Sequence, residues 1–452
     1  MSRLPCFKAY DIRGRVPHDL NEDVAYKIGR AFARVINPAG PVAIGRDIRE
    51  SSPALSLALI HGLNDAGVDV VDIGLCGTEM VYFAAALPGM GGGVMVTASH
   101  NPIEYNGMKL VSAGAVPISG PTGLDDIERR VRENDLGEKA SVAGRHAADD
   151  ISADYVKKVL SFVDVAALKP LKILANPGNG CAGPFVKKIA AFLPFEMVMI
   201  HDEPDASFPN GIPNPLLPEN QPATAAATRK NRCDLGVAWD GDFDRCFFFD
   251  ETGCFVDGYY IVGLLAQHLV KMFPGSKIIH DPRMTWNTID LVREAGGVPV
   301  ESKTGHAFIK EAMRGEDAVY GGEMSAHHYF RDFFYCDSGM VPWLLVCALI
   351  SASGQPLSAL VAERKRRFPG SGEINRRVAD PAAAIAAARR RYEADATVIK
   401  NVDGLSMEFG KRWRFNARAS QTEPVLRLNV ESFGDPDLVR AKTNEILALI
   451  TA

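Results

Sequence analysis

An alternation of short apolar strands with amphipathic helices, restarted twice along the chain, is the feature that most constrains the fold. The first run predicts a helix over 21–36, where Val24, Ile28, Phe32 and Val35 recur at helical spacing behind Glu22 and Asp23. Short strands are predicted at 41–44, 68–73 and 93–97, with a helix over 53–66. Strands alternating with helices argue for sheets covered by helices. The pattern restarts at 171–175, where a strand leads through a glycine loop into a helix from Pro184, then to strands at 196–200 and 235–239. It restarts again after the turn at 251–253, with a helix at 259–271, a strand at 278–280, a helix at 286–295 and a strand at 318–320. What recurs is the pattern and not residue identity. The tail breaks the rhythm. A helix at 382–392 is followed by strands at 405–409, 412–415 and 425–430 and a last helix at 436–449, a small α+β arrangement.

Polar, Gly and Pro residues cluster at 135–150, at 251–253 and at 369–372. They divide the chain into 1–148, 149–251 and 252–368, all α/β, and 369–452, which is α+β. Four domains exceed the about three that the length alone suggests. The eight cysteines form no CxxC pair and no zinc spacing, which reads as buried thiols in a reducing compartment and makes cytoplasmic the expected location. Met1 to Gly14 lacks the apolar core of a signal peptide. The longest apolar stretch, 340–352, contains Pro342 and is too short for a bilayer, so it reads as a buried helix. With 50 basic and 55 acidic residues, the net charge of −5 gives no reason to expect nucleic acid or membrane as a partner. An anionic ligand must therefore be held by cations placed locally. Monomer and dimer both stay open.

Four loops carry chemistry. Asp240-Gly241-Asp242-Phe243-Asp244-Arg245 follows a strand directly, and three alternating carboxylates can converge on one hard cation. A solvated acidic turn is the plain alternative. An EF-hand is rejected, because Arg245 stands where its glycine belongs and Cys246–Phe249 is an apolar strand. An aspartyl phosphatase using Asp240 as nucleophile stays open. Thr97-Ala98-Ser99-His100-Asn101-Pro102, with Tyr105-Asn106-Gly107-Met108-Lys109 beyond, places Ser99 past a strand end, where α/β sheets hold ligands. It lacks the G-x-S-x-G elbow of serine hydrolases. Arg418-Ala419-Ser420-Gln421-Thr422-Glu423-Pro424, with Arg427, offers guanidinium, hydroxyl and amide groups suited to a phosphate dianion, or is a polar loop. Gly321-Gly322-Glu323-Met324-Ser325-Ala326-His327-His328 presents a carboxylate, a hydroxyl and imidazoles suited to sugar hydroxyls. A transition-metal site and surface histidines are its alternatives. Gly178-Asn179-Gly180-Cys181-Ala182-Gly183 fits a dinucleotide fingerprint with Asp202 as ribose contact, the case for an NAD-dependent dehydrogenase. A glycine turn before a helix has structural uses as well.

In this order, and with Phe7-Lys8-Ala9-Tyr10-Asp11-Ile12-Arg13-Gly14 at the start, the motifs resemble the α-D-phosphohexomutase superfamily in its bacterial phosphomannomutase/phosphoglucomutase branch. The resemblance covers essentially the whole chain. It implies four domains around a central cleft, each giving one motif. It implies that Ser99 carries the phosphoryl group, and that Asp240, Asp242 and Asp244 hold Mg²⁺ against it. Glu323, Ser325 and His327 would read sugar hydroxyls. Arg418, Ser420, Gln421, Thr422 and Arg427 would hold the other phosphate, with Tyr10 and Arg283 also on the substrate. Arg13, His100, Lys109 and Arg245 would attend the transfer, with His306, Lys109 or Arg13 as the general acid or base.

The implied reaction interconverts mannose 6-phosphate and mannose 1-phosphate through a bound hexose 1,6-bisphosphate, with glucose phosphates as further substrates. Such transfer needs positioning and charge stabilisation more than covalent help. Three features depart from the family pattern: Gln421 in place of Asn, Ala326 in place of Gly, and Arg283 where many relatives have Lys. An arginine there cannot release a proton. The Glu-Met-Ser-Ala-His-His-Tyr-Phe form looks most like phosphomannomutases that supply GDP-mannose for surface polysaccharide.

Overall fold

A computed structural model describes residues 3–419 and 425–451. The chain forms two compact units, Met1–Phe255 with Tyr329–Gly354, and Val256–His328 with Gln355–Ala452.

The first unit holds two sheets. In one, the strands run in the order Ile12–Arg15, Tyr105–Ser112, Gly92–Val96, Val42–Arg46, Val70–Leu75 and His146–Ala148. Gly92–Val96, Val42–Arg46 and Val70–Leu75 are parallel neighbours, and Ile12–Arg15 and Tyr105–Ser112 are antiparallel. The central strands are apolar and buried because helices cover the sheet. Helix Glu22–Ile36 starts where the Asn21 side chain accepts from Val24 N and stops at Asn37, whose left-handed φ of 47° closes it. Val24, Ile28 and Phe32 face the core as their spacing predicts. In the other sheet Leu235–Trp239 is parallel to Lys172–Asn176, which is parallel to Glu196–Met199, and Cys246–Phe249 closes antiparallel on Leu235–Trp239. Helix Met340–Ser353 is apolar on nearly every side and buried, with Trp343, Leu344, Val346 and Cys347 fully enclosed. No single helix among the described residues is long and apolar enough to cross a membrane. Among those residues no disulfide forms, and every cysteine but Cys254 is buried.

The second unit contains the parallel strands Val298–Glu301, Lys277–His280 and Tyr320–Gly322. It also contains an antiparallel sheet ordered Ile374–Arg377, Val425–Ser432, Trp413–Ala419, Leu405–Phe409 and Val398–Lys400, covered by Pro381–Tyr392 and Pro436–Thr451. The molecule thus has three mixed α/β domains and a smaller C-terminal α+β domain.

Several elements depart from the sequence reading. The strand expected at 318–320 lies at Tyr320–Gly322, because the Ala318 N–H is spent closing the preceding helix on Met313 O. His146–Ala148 forms a strand inside the stretch read as a linker at 135–150. It is exposed on all three residues, so no apolar alternation marks it. Helices Thr78–Ala85, Asp125–Glu133, His306–Glu316 and Leu357–Arg367 and the eight-residue strand Tyr105–Ser112 lie outside the elements that the sequence pattern predicts.

Candidate active site

Two polar clusters stand at strand ends, one in each unit. In the first, the chain leaves Gly92–Val96, loops through Ser99 and returns as Tyr105–Ser112. Ser99 has a left-handed φ of 50°. A non-glycine residue there costs about 1–2 kcal/mol and needs surroundings that enforce it. Asp47, at the end of Val42–Arg46, accepts from Thr97 Oγ1 at 2.8 Å, and Thr97 Oγ1 accepts from Ser99 N at 2.8 Å. Buried Arg49 donates to the carbonyls of Ser99, Asn101, Pro102 and Tyr105 at 3.0, 2.6, 2.8 and 3.0 Å. Arg13 donates to Ala98 O at 2.7 Å and Asn101 Oδ1 at 2.6 Å, and pairs with Asp11 at 2.9 Å. Tyr10 is half-buried in the loop leading to Ile12–Arg15.

The serine oxygen meets the acidic loop. Ser99 Oγ donates to Asp240 Oδ2 at 2.7 Å, and Arg245 binds the same oxygen through Nε at 2.9 Å and Nη2 at 2.6 Å. Arg245 Nη2 is also 3.3 Å from Ser99 Oγ and touches His100 Nδ1, which lies 3.0 Å from Ser99 Oγ. Asp242 Oδ2 accepts from Thr78 Oγ1 at 2.5 Å and Lys109 Nζ at 2.8 Å, and Lys109 also pairs with Asp244.

The carboxylates of Asp240, Asp242 and Asp244 are buried, with one oxygen of each within 4.8 Å of the others. Burial pushes Asp240 up to about 6, with Asp244 and Asp242 adding to the rise and Arg245 opposing it. Burial works against the Lys109 charge, but Asp242 and Asp244 more than offset it and raise its pKa. Desolvation, with the guanidiniums of Arg245 and Arg13, holds His100 well below the usual histidine range. Asp242 Oδ1 is buried with no hydrogen-bond partner among the described residues. An oxygen-only donor set with one buried oxygen unspent fits a hard divalent cation.

The glycine fingerprint has a different use. A Cβ on Gly180 would lie 2.8 Å from Gly241 O, and one on Gly183 would lie 1.8 Å from Asp202 O. Cys181 N donates to Gly241 O at 3.0 Å. The glycines therefore let this loop press against the acidic loop and the segment at Asp202, and that space is filled by backbone. Asp202 pairs with Lys187 at 2.7 Å. Close packing is thus a sufficient reason for glycine at Gly180 and Gly183, without a dinucleotide.

In the second unit, Glu323 follows Tyr320–Gly322 in a tight loop. Glu323 N donates to His327 O and Ala326 N to Glu323 O, both at 3.0 Å, with Ala326 at φ 70°. Glu323 Oε1 accepts from Gly305 N at 3.0 Å, so the carboxylate sits beside the start of His306–Glu316, where His306 lies. His327 Nδ1 is 3.2 Å from Glu323 Oε2. Arg283 is fixed by Asp281 at 2.7 Å and reaches Ser325 Oγ at 3.2 Å and Glu323 at 3.6 Å. Glu323, Ser325, His327 and Arg283 thus converge. His328 is enclosed against Tyr320, 2.6 Å from its hydroxyl, and burial pulls it down to about 3. It is a core residue, and the metal alternative loses one of its two imidazoles. Arg418 and Arg427 stand on adjacent strands around Glu373, whose pKa falls because Arg283, Arg418 and Arg427 outweigh the effect of burial. Ser420, Gln421 and Thr422 lie outside the described residues.

No sequence motif marks Asp47, Arg49, Thr78, Glu373 or Asp403, though each touches a residue of the motif loops. The polar run Arg46-Asp47-Ile48-Arg49 just past a strand end was the one available signal.

Geometry of this kind can be set beside known proteins. Profiles described as phosphoglucomutase/phosphomannomutase alpha/beta/alpha domains I, II and III match residues 5–138, 153–253 and 257–368, and the C-terminal domain of that family matches 373–448. The chain therefore belongs to the phosphoglucomutase/phosphomannomutase family. It is an enzyme, an isomerase that moves a phosphoryl group. It is 56% identical over 458 residues to a phosphomannomutase of Salmonella montevideo, with 100% of each chain covered. It is likewise 56% identical over 447 residues to a protein of Xanthomonas campestris pv. campestris named phosphohexose mutases, with 99% of each covered. A crystal structure of a phosphoglucomutase/phosphomannomutase family protein from Burkholderia thailandensis matches with a TM-score of 0.89 at 31% identity, over 100% of this chain and 98% of that one.

Proposed function

We propose that the protein is a Mg²⁺-dependent phosphomannomutase that interconverts mannose 6-phosphate and mannose 1-phosphate through phospho-Ser99 and a bound hexose 1,6-bisphosphate. The observation that carries this reading is the seat of Ser99, its Oγ 2.7 Å from Asp240 and 3.3 Å from Arg245 beside an acidic triad with an unspent buried oxygen. The full-length relative named phosphomannomutase supports the choice of mannose.

Asp240, Asp242, Asp244 and the oxygen on Ser99 would hold Mg²⁺. When bound, the ion supplies neutralising charge to the phosphoryl oxygens. The protein's own residues do the rest. Arg49 and Arg13 fix the loop, so Ser99 Oγ is aimed before substrate arrives. In the first half-reaction the Oγ–P bond of phospho-Ser99 breaks while an O–P bond forms to a sugar hydroxyl, whose proton passes to a base, and the departing Ser99 Oγ, beside Arg245, takes up a proton to become the hydroxyl that bonds Asp240. Arg13 is tied to Ala98 O, Asn101 and Asp11, and Lys109 is held between Asp242 and Asp244, so both serve as counter-charge, and we assign the proton transfer to His306, which follows the Gly305 amide bound to Glu323. After the bisphosphate turns around, its other phosphate returns to Ser99 Oγ. Glu323, Ser325 and His327 would read equatorial hydroxyls. Contacts to O3 and O4 accept either orientation and do not separate sugars that differ at C2. Glucose phosphates are therefore further substrates, in keeping with the broader name of the Xanthomonas relative.

An aspartyl phosphatase is disfavoured, because Asp240 Oδ2 already accepts from Ser99 and from Arg245. The deciding experiment is a coupled assay of mannose 1-phosphate and glucose 1-phosphate, with and without a hexose 1,6-bisphosphate. We expect 6-phosphate products and stimulation by the bisphosphate. Release of inorganic phosphate in place of isomerisation overturns the reading.

A further inference from the structure

Arg418 and Arg427 stand directly opposite each other on the antiparallel strands Trp413–Ala419 and Val425–Ser432. Like charges in that position repel and weaken a sheet. Arg283 brings a third guanidinium to the same place. The carboxylate of Glu373 lies among all three. Its Oε2 is 3.3 Å from Arg283 Nη1 and 3.3 Å from Arg418 Nη2, and its Oε1 is 3.5 Å from Arg427 Nη1. Glu373 directly precedes the strand Ile374–Arg377, which pairs with the strand of Arg427 in the register Asn375–Arg427, so the backbone keeps it there.

The lengths of these contacts matter. Arg283 binds Asp281 at 2.7 Å, and buried Arg414 binds Glu431 at 2.7 Å. Glu373 makes one longer contact to each guanidinium and no fork. Arg283 has Asp281 at 2.7 Å and Arg418 has Asp403 at 3.5 Å, but Glu373 is the carboxylate common to all three arginines, and its one charge shared three ways ties them together only weakly. A phosphate dianion brings about twice the charge and three oxygens, enough to fork with more than one guanidinium.

We propose that Glu373 is a built-in counter-anion, which holds Arg283, Arg418 and Arg427 together in the unliganded chain and is displaced from them by the phosphate group of the substrate. The arginine cluster stays assembled before substrate arrives. A ligand must outbid Glu373 to enter, which favours dianions over carboxylates and uncharged sugars. From the proposed function this inference takes only that these arginines seat a phosphate.

The test is calorimetric binding of inorganic phosphate to the full chain, with EDTA present. Glu373→Gln keeps the shape and removes the charge. We expect it to bind phosphate at least about fivefold more tightly than the parent, and to gain measurable affinity for acetate. Phosphate affinity that is unchanged or weaker in this variant overturns the proposal. Should the variant fail to fold, carbon-13 NMR of glutamate-labelled parent chain reads the same event, with the Glu373 carboxyl signal assigned through Glu373→Asp. Saturating phosphate is expected to move that signal, and a signal that stays put overturns the proposal. Tighter phosphate binding by Glu373→Gln in a chain without mutase turnover would sink the functional reading and leave this inference standing. Turnover with unmoved phosphate affinity does the reverse.

Discussion

The Ser99–Asp240 cluster and the Arg418–Arg427 cluster solve the same problem with opposite signs. Each gathers like charges suited to an ion of the opposite sign, and each carries a tethered opposite charge of its own. In the first, the Lys109 ammonium sits between Asp242 and Asp244, with only 6% of its side chain exposed and a 2.8 Å bond to Asp242. In the second, Glu373 reaches its three arginines at 3.3–3.5 Å and keeps 15% exposure. Buried charges must be paired closely, because an unpaired one is expensive, whereas a wetter cluster tolerates a looser partner. The tight cluster is therefore the one where single substitutions cost most, and the loose one is where charge removal is expected to improve binding.

The largest effect is expected from Ser99→Ala. It removes the proposed phosphoryl carrier and its bond to Asp240 while leaving the loop's contacts through Thr97, Arg49 and Arg13 in place. Turnover in the coupled assay should fall by about 10⁴-fold or more, a loss of the size seen when a covalent nucleophile is removed. Near-normal turnover would refute the phosphoserine assignment and with it the contrast between the clusters.

Arg49→Lys comes next. An ammonium cannot donate at once to four carbonyls spread over Ser99 to Tyr105, so the loop should relax out of its left-handed geometry. We expect kcat to fall by about 10²-fold with KM little changed, since misplacement by about an ångström costs that much. An equal fall in kcat/KM from KM alone would mean that Arg49 serves the substrate and not the loop.

Asp242→Asn is expected to cost about 10-fold in the Mg²⁺ concentration giving half-maximal activity, because one charge leaves the triad while its oxygen remains. A metal titration of activity reads this directly. An unchanged half-activating concentration would move the cation away from Asp242.

The contrast also explains what could be read from sequence. The acidic loop was legible because its three carboxylates are neighbours in the chain and follow a strand whose apolar run, 235–239, is unbroken. Glu323, Ser325 and His327 were legible for the same reason. Arg49, Thr78 and Glu373 were not, because the partner of each lies far off in sequence. Arg49 and Ser99 are 50 residues apart, Thr78 and Asp242 are 164 apart, and Glu373 and Arg283 are 90 apart. The strand order that brings Val42–Arg46 beside Gly92–Val96 creates the Arg49–Ser99 contact, and periodicity carries no strand order. His146–Ala148 and Tyr105–Ser112 escaped for a different reason: the first is exposed throughout, and the second was masked by the polar residues that made it look like a loop motif.

The smallest expected effect comes from a carboxylate with no tethered counter-charge. Glu79 is fully buried and accepts only from neutral donors, Tyr155 OH at 2.5 Å, Ser338 Oγ at 2.9 Å, and the amides of Gly339 and Met340 at 2.5 and 3.2 Å at the start of helix Met340–Ser353. Burial pushes it up to about 8, and these four donors offset only part of that rise. The folded chain therefore holds a proton on Glu79 across a range where the unfolded chain, with an ordinary glutamate, has lost it. By linkage the stabilisation is complete below the unfolded value near 4.5 and is lost as pH rises through about 8. The midpoint of thermal unfolding should fall between pH 5 and pH 8 by a few degrees. Glu79→Gln should flatten that fall while leaving turnover alone, since its amide can donate to the hydroxyls of Tyr155 and Ser338 and its oxygen can accept from the two backbone amides. A parent profile that rises over this range would mean that the helix N-terminus keeps Glu79 ionised. It would then join the two clusters as a third case in which a buried charge is balanced from within.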